Sequence, residues 1–486
     1  MNFYLAQIET RIFQWDFNLK EILNQYQNLH EFDAIFFPAN ALSGGPLHDL
    51  IKHPHFEKNL NATLKELTKN IKKPICFPQV LPKNNCKLIW IENQKIQYLS
   101  LNSFINFQGN KLFFFHPENE LTHFSTQADY IFTYRQERFN YRAIPSCKHA
   151  FLQKTSSYII NIQSHSFDGA NIFPGNSKIF YKNTCIYSAP YFKNAVKSIN
   201  KNDEVTLYTE KNRIALLHQG LLYAIKSYFQ QKGFSKAFIA SSGGLDSALV
   251  QTLVSQAIGG ENTYAYLLPS DFSSSHSIED AKKLSENLEN PYSIISIKDS
   301  YASVLKSIEK DFQSQSFDFT EENIQARIRG LIMMALSNKN KGIVLNTSNK
   351  SEIAMGYSTM YGDAVGALSI IGDVYKSEAY ALARYINEKE AVIPEHILTK
   401  APSAELRPDQ KDTDSLPDYD LLDGILFKIL EKEKSNVSDF NEAELSILDF
   451  VITKLHNNEF KRLQFPPIIK VSSCSFFEDR KYPSIF

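Results

Sequence analysis

The residues Ser241-Ser242-Gly243-Gly244-Leu245-Asp246-Ser247 have the types and spacing to do chemistry on a phosphate. The apolar run Ala237-Phe238-Ile239-Ala240 predicts a strand leading in, and a helical run starting near Ser247 leads out. A glycine turn between strand and helix points several backbone N–H groups, and the positive end of the helix dipole, at one anion. Gly243 and Gly244 let the backbone approach closely. The hydroxyls of Ser242 and Ser247 can donate to phosphate oxygens. Asp246 would repel a phosphate unless a cation lay between them, which asks for Mg²⁺. A bare Gly-Gly turn would be an ordinary connection, but the full Ser-Gly-Gly-x-Asp-Ser string argues for the functional reading. The Gly-Lys-Ser/Thr ending of the kinase-type phosphate loop is missing.

The string resembles the pyrophosphate loop of the N-type ATP pyrophosphatases, the adenine nucleotide α-hydrolase-like enzymes. Those enzymes adenylylate a carbonyl or carboxyl oxygen, release pyrophosphate, and let a nitrogen or sulfur nucleophile displace AMP. The loop alone leaves NAD, GMP and asparagine synthetases and tRNA-thiolating enzymes open.

The elements that must carry this loop have ample chain. The protein has 486 residues, natural for two domains, and 43% of them are hydrophobic, which excludes a disordered chain. A net charge of −1 gives no reason to expect nucleic acid or a membrane surface as partner. No apolar run is long enough to span a bilayer, and Met1–Trp15 lacks the basic and apolar segments of a signal peptide. The five cysteines form no CxxC pair, so neither a disulfide framework nor a zinc site is indicated. A reducing cytoplasm is expected.

After the loop, Thr263–Leu268 and Gly342–Asn346 read as further strands, and Ile214–Phe229, Ile278–Leu288, Asn323–Leu336 and Ser377–Ile386 as helices. In a doubly wound sheet, ligands sit beyond the C-terminal ends of the strands. Thr320 is the expected N-cap of the third helix, followed by Glu321 and Glu322 in its first turn. Ile324, Ile328, Leu331, Ile332 and Ala335 form its expected apolar face, with Asn323 and Arg327 together on another. By residue type alone, the latter two would be a solvated polar face.

Four further blocks resemble NAD synthetase. Glu-Asn-Ile-Gln-Ala-Arg-Ile-Arg-Gly (322–330) matches its substrate-binding string. The run from Asn346 to Lys376, through Thr347, Glu352 and Gly362-Asp363, is long and ordered. The proline- and acid-rich stretch 393–419 matches a lid of the glutamine-dependent branch, and Lys461-Arg462-Leu463-Gln464-Phe465-Pro466-Pro467 its C-terminal basic segment. The resemblance implies ATP on Ser242, Gly243, Gly244, Leu245, Asp246, Ser247, Leu268, Thr347 and Lys376, with the Leu268 backbone against the adenine. It implies deamido-NAD⁺ on Asn323, Arg327, Glu352, Asp363 and Lys461, and Mg²⁺ at Asp246 and Glu352. Asp271 stands where related synthetases carry an arginine.

The first two hundred residues look like a nitrilase-type glutaminase domain. Phe37-Pro38-Ala39-Asn40-Ala41-Leu42-Ser43-Gly44 matches its Phe-Pro-Glu-Leu-Ala-Leu-Thr-Gly segment. Those amidases use a glutamate base, a lysine and a cysteine nucleophile. Ala39 takes the glutamate's place, Tyr98–Phe107 holds no lysine, and Tyr130–Arg138 holds no cysteine. A thiol needs a base or cation to activate it, so the domain is expected to be inactive. Cys147 beside His149 would be a relocated pair only with a third group, and is read as a loop cysteine. The expected organisation is α/β: a nitrilase-like α/β sandwich over 1–200 and a doubly wound parallel-sheet synthetase domain over 211–486, joined by the polar stretch 194–210. The expected partners are deamido-NAD⁺, ATP and ammonia, with an external ammonia source or glutaminase as a further partner; the alternative is a glutamine-dependent NAD synthetase using a relocated or partner glutaminase site. A homo-oligomer assembled through the first domain is also expected.

Overall fold

In a computed structural model, the structure describes residues 2–115, 128–134, 136–143, 157–182, 184–199, 205–208, 210, 212–312, 316–408, 410–432, 435–476 and 479–480. Cys147 and His149 lie outside the described residues. The chain forms two compact units: Met1–Phe139 with Ala143–Lys211, and Asn140–Arg142 with Asn212–Phe486.

The first unit is a sandwich of two sheets. One has six strands, in the order Ala195–Ser198, Phe3–Gln7, Ala34–Phe36, Ile75–Leu81, Asn85–Glu92, Lys95–Leu99. The other has seven, with Tyr130–Thr133 and Tyr158–Asn161 as parallel neighbours near its centre. Alternation along each strand decides which residues meet. Phe3, Leu5, Phe36 and Trp90 of one sheet share a core with Phe114, Phe132, Tyr158 and Ile160 of the other. The intervening Ile35, Ile75 and Ile89 turn outward onto the helices Trp15–Gln27 and Phe56–Asn70.

The second unit is built on five parallel strands in the order Tyr292–Ile294, Thr263–Leu267, Ala237–Ala240, Ile343–Asn346, Leu368–Ser369. The strands Ala237–Ala240 and Ile343–Asn346 read as unbroken apolar runs because both sheet faces are covered. Phe238 and Val344 pack on one face with Ile324, Ile328 and Met333 of the helix Phe319–Asn340. Ala265 and Leu267 pack on the other with Ala281. The helix Leu245–Ile258 is buried along most of its length and packs beside Arg213–Lys232 and Lys376–Lys389. Among the described residues no helix is long and apolar enough to cross a membrane.

Two expectations about the helix Phe319–Asn340 are corrected. Its N-cap is Asp318 and not Thr320: the Thr320 N–H donates to Asp318 Oδ1 at 2.6 Å, and Glu321 reaches back to the Asp318 N–H at 2.9 Å. The aspartate lies two residues upstream of Thr320 and completes a capping box that the threonine would leave open. Leu331 is 70% exposed, and Ala335 is exposed as well. Ile324 and Ile328 are buried as expected, with Ile332 packed beside them, and the buried side extends through Ala326, Gly330 and Met333 rather than through Leu331 and Ala335. A Cβ on Gly330 would lie 2.8 Å from the carbonyls of Tyr361 and Gly362. Periodicity identifies a face, but the loop packed against the helix decides which side is covered.

Candidate active site

The Ala237–Ala240 strand is flanked by Thr263–Leu267 on one side and Ile343–Asn346 on the other. Strand order reverses there, so the loops following these strands diverge and open a crevice at their C-terminal ends. A cavity of about 320 Å³ occupies it. Of the residues expected from sequence, Ser242, Gly244, Leu245, Asp246, Ser247, Leu268, Thr347, Glu352, Asp363 and Lys376 line this cavity.

The glycine loop keeps its shape through its own groups. Gly243 has φ +80°, and a Cβ there would lie 2.2 Å from the Ser277 carbonyl oxygen. Gly244 caps the helix. The hydroxyls of Ser242 and Ser247 lie 3.1 Å apart; Ser242 Oγ accepts from the Gly244 N–H, and Ser247 Oγ donates to the Gly244 carbonyl. Both hydroxyls, expected to face a phosphate, are thus also internal struts of the turn.

Opposite the loop, Lys376 opens the helix Lys376–Lys389 and Glu352 sits in the short helix Lys350–Met355. The Lys376 ammonium bonds Asp246 and lies 3.3 Å from Glu352 Oε1, while Asn349 donates to Asp246 Oδ1 at 3.2 Å. Asp412, held by the hydroxyls of Tyr419 at 3.0 Å and Tyr357 at 3.3 Å, adds a third acid to this group. Burial, then repulsion from Asp246, pushes Glu352 up to about 8. Burial opposes the charge on Lys376, but Asp246 and Glu352 outweigh it and raise its pKa. Burial also raises Asp412.

Several carboxylates around one ammonium leave a surplus of negative charge, and hard oxygen donors of this kind suit Mg²⁺. Among the described residues no three His, Cys, Asp or Glu side chains form a metal-holding group. Asp246 and Glu352 would therefore supply only part of the shell, leaving room for phosphate and water oxygens, as Mg²⁺ usually requires.

Asn323, Arg327 and Lys461 lie outside the cavity lining. Asn323 Oδ1 accepts from Thr359 Oγ1 at 2.7 Å, and the Thr359 N–H donates to Asp363 Oδ1 at 2.6 Å, so the threonine joins Asn323 to Asp363. Burial raises Asp363 to about 6. Arg327 is exposed, its Nε donating to the Met360 carbonyl at 3.3 Å. Lys461 donates to the carbonyls of Gly356 and Ser358 at 2.8 and 2.9 Å, and burial lowers its pKa. Asp271, at the family's arginine position, pairs with Lys298.

The stretch 393–419 folds against the cavity. Glu405 accepts from the hydroxyls of Ser274 at 2.8 Å and Ser277 at 2.7 Å, and Gln325 donates to the Leu406 carbonyl at 2.9 Å. Sequence reasoning missed Arg329, Tyr357, Tyr380, Lys400 and Glu405 as lining residues. Arg329, Tyr357, Lys400 and Glu405 carried a signal, their places in the 322–330 string, the Asn346–Lys376 run and the 393–419 stretch, whereas Tyr380 carried none.

Beneath the site lies a buried ionic network. Lys350 and Asp373 are 0% exposed and lie 2.9 Å apart, and Lys350 also reaches Glu431 at 2.9 Å. Arg142 bonds Glu431 and grips Glu378 at 2.6 and 2.9 Å. Glu378 in turn accepts from the Tyr375 N–H at 3.2 Å, at the start of the helix that presents Lys376. Both helices that carry site charges therefore begin on this network. Sequence reading gave no signal for it.

In the first unit, Ala39 packs beside an apolar core that includes Phe36 and Cys76. Its chain neighbour Asn40 is a neutral amide that accepts from Gln79 Nε2 at 3.3 Å, and Gln79 Nε2 also donates to Ser43 Oγ at 2.8 Å. Burial pushes the Cys76 thiol up, so it is not a thiolate.

A sequence model described as NAD synthase matches residues 217–465. Among curated proteins, the glutamine-dependent NAD(+) synthetase of Acinetobacter baylyi is 38% identical over 324 residues, 65% of this chain and 60% of that protein. The enzyme of that name from Synechocystis sp. is 42% identical over 268 residues, 55% of this chain and 48% of that protein. The chain thus spans about half to 60% of the length of these curated relatives. Among solved structures, glutamine-dependent NAD⁺ synthetase from Acinetobacter baumannii in complex with ADP superposes with a TM-score of 0.74 at 25% identity, covering 100% of this chain and 98% of that one. The Cytophaga hutchinsonii enzyme shares the fold, with a TM-score of 0.79 at 15% identity and the same coverage. The two-unit architecture is thus that of glutamine-dependent NAD synthetases, a nitrilase-like unit followed by a parallel-sheet synthetase unit. More than half of the chain matches the family over the unit that holds the crevice, and the chain belongs to the NAD synthase family.

Proposed function

We propose that the protein is an NAD synthetase, converting deamido-NAD⁺ to NAD⁺ with ATP. One observation carries the reading: the 241–247 loop, Glu352 and Lys376 converge on one cavity at the switch point of a parallel sheet. In this reading a nicotinate carboxylate oxygen attacks the α-phosphorus and the bond to the β-phosphate breaks, so pyrophosphate leaves. Ammonia then attacks the acyl carbon and the bond to the AMP oxygen breaks. No side-chain nucleophile is required.

The protein's part is to align two anionic substrates and neutralise charge. The backbone N–H groups of the loop take the phosphates, the Leu268 backbone meets the adenine, and Thr347 and Lys376 reach the triphosphate. Asp363, joined through Thr359 to Asn323, holds the deamido-NAD⁺ end, with Arg327 and Lys461 nearby in sequence role. Mg²⁺ at Asp246 and Glu352 supplies further charge neutralisation when bound. The 393–419 stretch, latched by Glu405, keeps water from the acyl-adenylate. We place the enzyme in the cytoplasm as a homo-oligomer assembled through its first unit.

Two nitrogen sources are compatible with this chemistry. Direct use of ammonia is supported by Ala39, which stands where the resemblance places the glutamate base of amide hydrolysis. Use of glutamine, through a relocated or partner glutaminase site, is supported by the names of the relatives, and the comparisons favour it. The test is NAD⁺ formation from deamido-NAD⁺, ATP and Mg²⁺, with ammonium in one reaction and ammonia-free glutamine in the other. Product with ammonium alone supports the first source. Equal product with glutamine refutes it and makes Cys147 the next residue to replace. No product in either reaction refutes the synthetase reading.

A further inference from the structure

Behind the glycine loop lies a network of buried polar side chains centred on Gln251, which is 0% exposed on the helix Leu245–Ile258. Its hydrogen bonds have a fixed direction. Asn290 Nδ2 donates to the backbone carbonyls of Gly260 at 3.1 Å and Leu288 at 3.2 Å, groups that can only accept. Asn290 Oδ1 therefore faces Gln251 and accepts from its Nε2 at 2.8 Å. Gln251 Nε2 also donates at 3.1 Å to Ser285 Oγ, whose own proton goes to the Ala281 carbonyl at 2.8 Å. Both amide protons of Gln251 are thus in use, and its Oε1 accepts from the Ser241 hydroxyl at 2.9 Å. Ser241, the first residue of the loop, borders the cavity. Its N–H is held as well, by the Tyr266 carbonyl of the neighbouring strand at 2.9 Å.

The position of Gln251 gives this bond a role. It lies one helical turn beyond Ser247, on the same side of the helix. Ser242 and Ser247 brace the turn from within. The Ser241–Gln251 bond instead ties the entry of the turn to the helix that leaves it, so strand end and helix start keep a fixed spacing. Ser285 anchors Gln251 to the helix Ser275–Asn287, and the Ser277 carbonyl near the start of that helix lies 2.2 Å from where a Gly243 Cβ would be. One helix therefore backs the loop at two points. Both polar atoms of the Gln251 side chain are bonded, and a buried polar network in that state fixes a single arrangement.

We infer that Gln251 is a positioning residue for the phosphate loop, acting through the Ser241 hydroxyl. It holds the loop in the conformation whose backbone N–H groups meet a triphosphate, so that nucleotide does not have to order the loop on binding. The inference goes beyond the NAD synthetase reading and rests on it only for ATP as the nucleotide. The competing role is a core network that stabilises the fold and leaves the loop unaffected.

The experiment uses the full chain, with Ser241→Ala, Gln251→Met, the double variant, and Thr252→Val as a control. Thr252 is 0% exposed on the same helix, and its hydroxyl donates to the Ala248 carbonyl of that helix at 2.8 Å. ATP and deamido-NAD⁺ are titrated separately by calorimetry, and ligand-free melting temperatures are recorded. Losing this buried hydrogen bond should weaken ATP by about 5-fold in each single variant. Because both substitutions remove one bond, the double variant should bind ATP within about 2-fold of the weaker single variant. Deamido-NAD⁺ affinity, and the ATP affinity of Thr252→Val, should stay within about 2-fold of wild type. ATP affinities within about 2-fold of wild type throughout, with only the melting temperature lowered, overturn the inference in favour of the core role. So does a double variant weakened by about 25-fold, the product of independent effects. An equal loss of ATP affinity in Thr252→Val, or of deamido-NAD⁺ affinity in the loop variants, overturns it too. If Gln251→Met fails to fold, Ser241→Ala decides alone by the same criterion. Wild-type NAD⁺ formation is assayed in parallel. ATP affinity without product would reject the reaction and leave the inference to the titrations, whereas a wild type with no ATP affinity would overturn both.

Discussion

Glu352 should make the ligand-free protein less stable as the pH rises. Its carboxyl is buried against Asp246, which raises its pKa from 4.5 to about 8. The folded protein therefore holds a proton at Glu352 that the unfolded chain releases above about pH 4.5. A raised folded pKa gives stability that is full at low pH and lost as pH climbs through the folded value. The displacement from 4.5 to about 8, at about 1.4 kcal/mol per pH unit, caps the loss at about 5 kcal/mol. Water entry and adjustment of Lys376 reduce it to roughly 1–3 kcal/mol. Glu352→Gln mimics the protonated acid. At about pH 5 its melting temperature should match wild type, and near pH 8.5 it should exceed wild type by roughly 3–10 °C. If Glu352 holds Mg²⁺ as proposed, the same variant should turn over at least ~100-fold more slowly. The assay is thermal denaturation across this pH range without nucleotide, alongside NAD⁺ formation. A melting-temperature difference that is the same at both ends of the range would refute the reasoning, because Glu352 would then not be the titrating group.

Gly243→Ala tests the loop backbone: a positive φ costs a non-glycine residue about 1–2 kcal/mol, and the Cβ would also strike the Ser277 carbonyl. ATP affinity should fall by at least ~10-fold and the melting temperature by a few degrees, about 2–4 °C per kcal/mol; unchanged ATP titration would show that the loop does not bind nucleotide. Arg142→Met leaves Glu378 and Glu431 without their guanidinium in a buried network, and one broken buried pair costs about 3–5 kcal/mol. Urea denaturation should show that loss, and a variant as stable as wild type would mean that the network contributes nothing to seating the helix of Lys376.

The Ala237–Ser247 stretch was legible because strand, turn and helix signals are local. Apolar residues, two glycines and a helical run fall within a few positions, and Gly243 adopts the positive φ that only such a residue takes easily. The same holds for the strands Thr263–Leu267 and Ile343–Asn346 and for the helices of the second unit, whose ends shift by only a few residues. Tertiary structure decided what lies opposite what. Thr320 and Asp318 are both acceptable caps by residue type, and backbone geometry at the helix entrance selected the aspartate. Leu331 fits the apolar period, yet the loop at Tyr361–Gly362 covers the other side of its helix. Arg327 and Arg329 differ by two positions in one motif, and only the packing of that helix turns one out and the other into the cavity. The pairing of Lys376 with Asp246 spans 130 residues, and that of Arg142 with Glu378 spans 236. Charge contacts of that reach have no sequence period, because they depend on which loops the parallel sheet brings to its C-terminal edge.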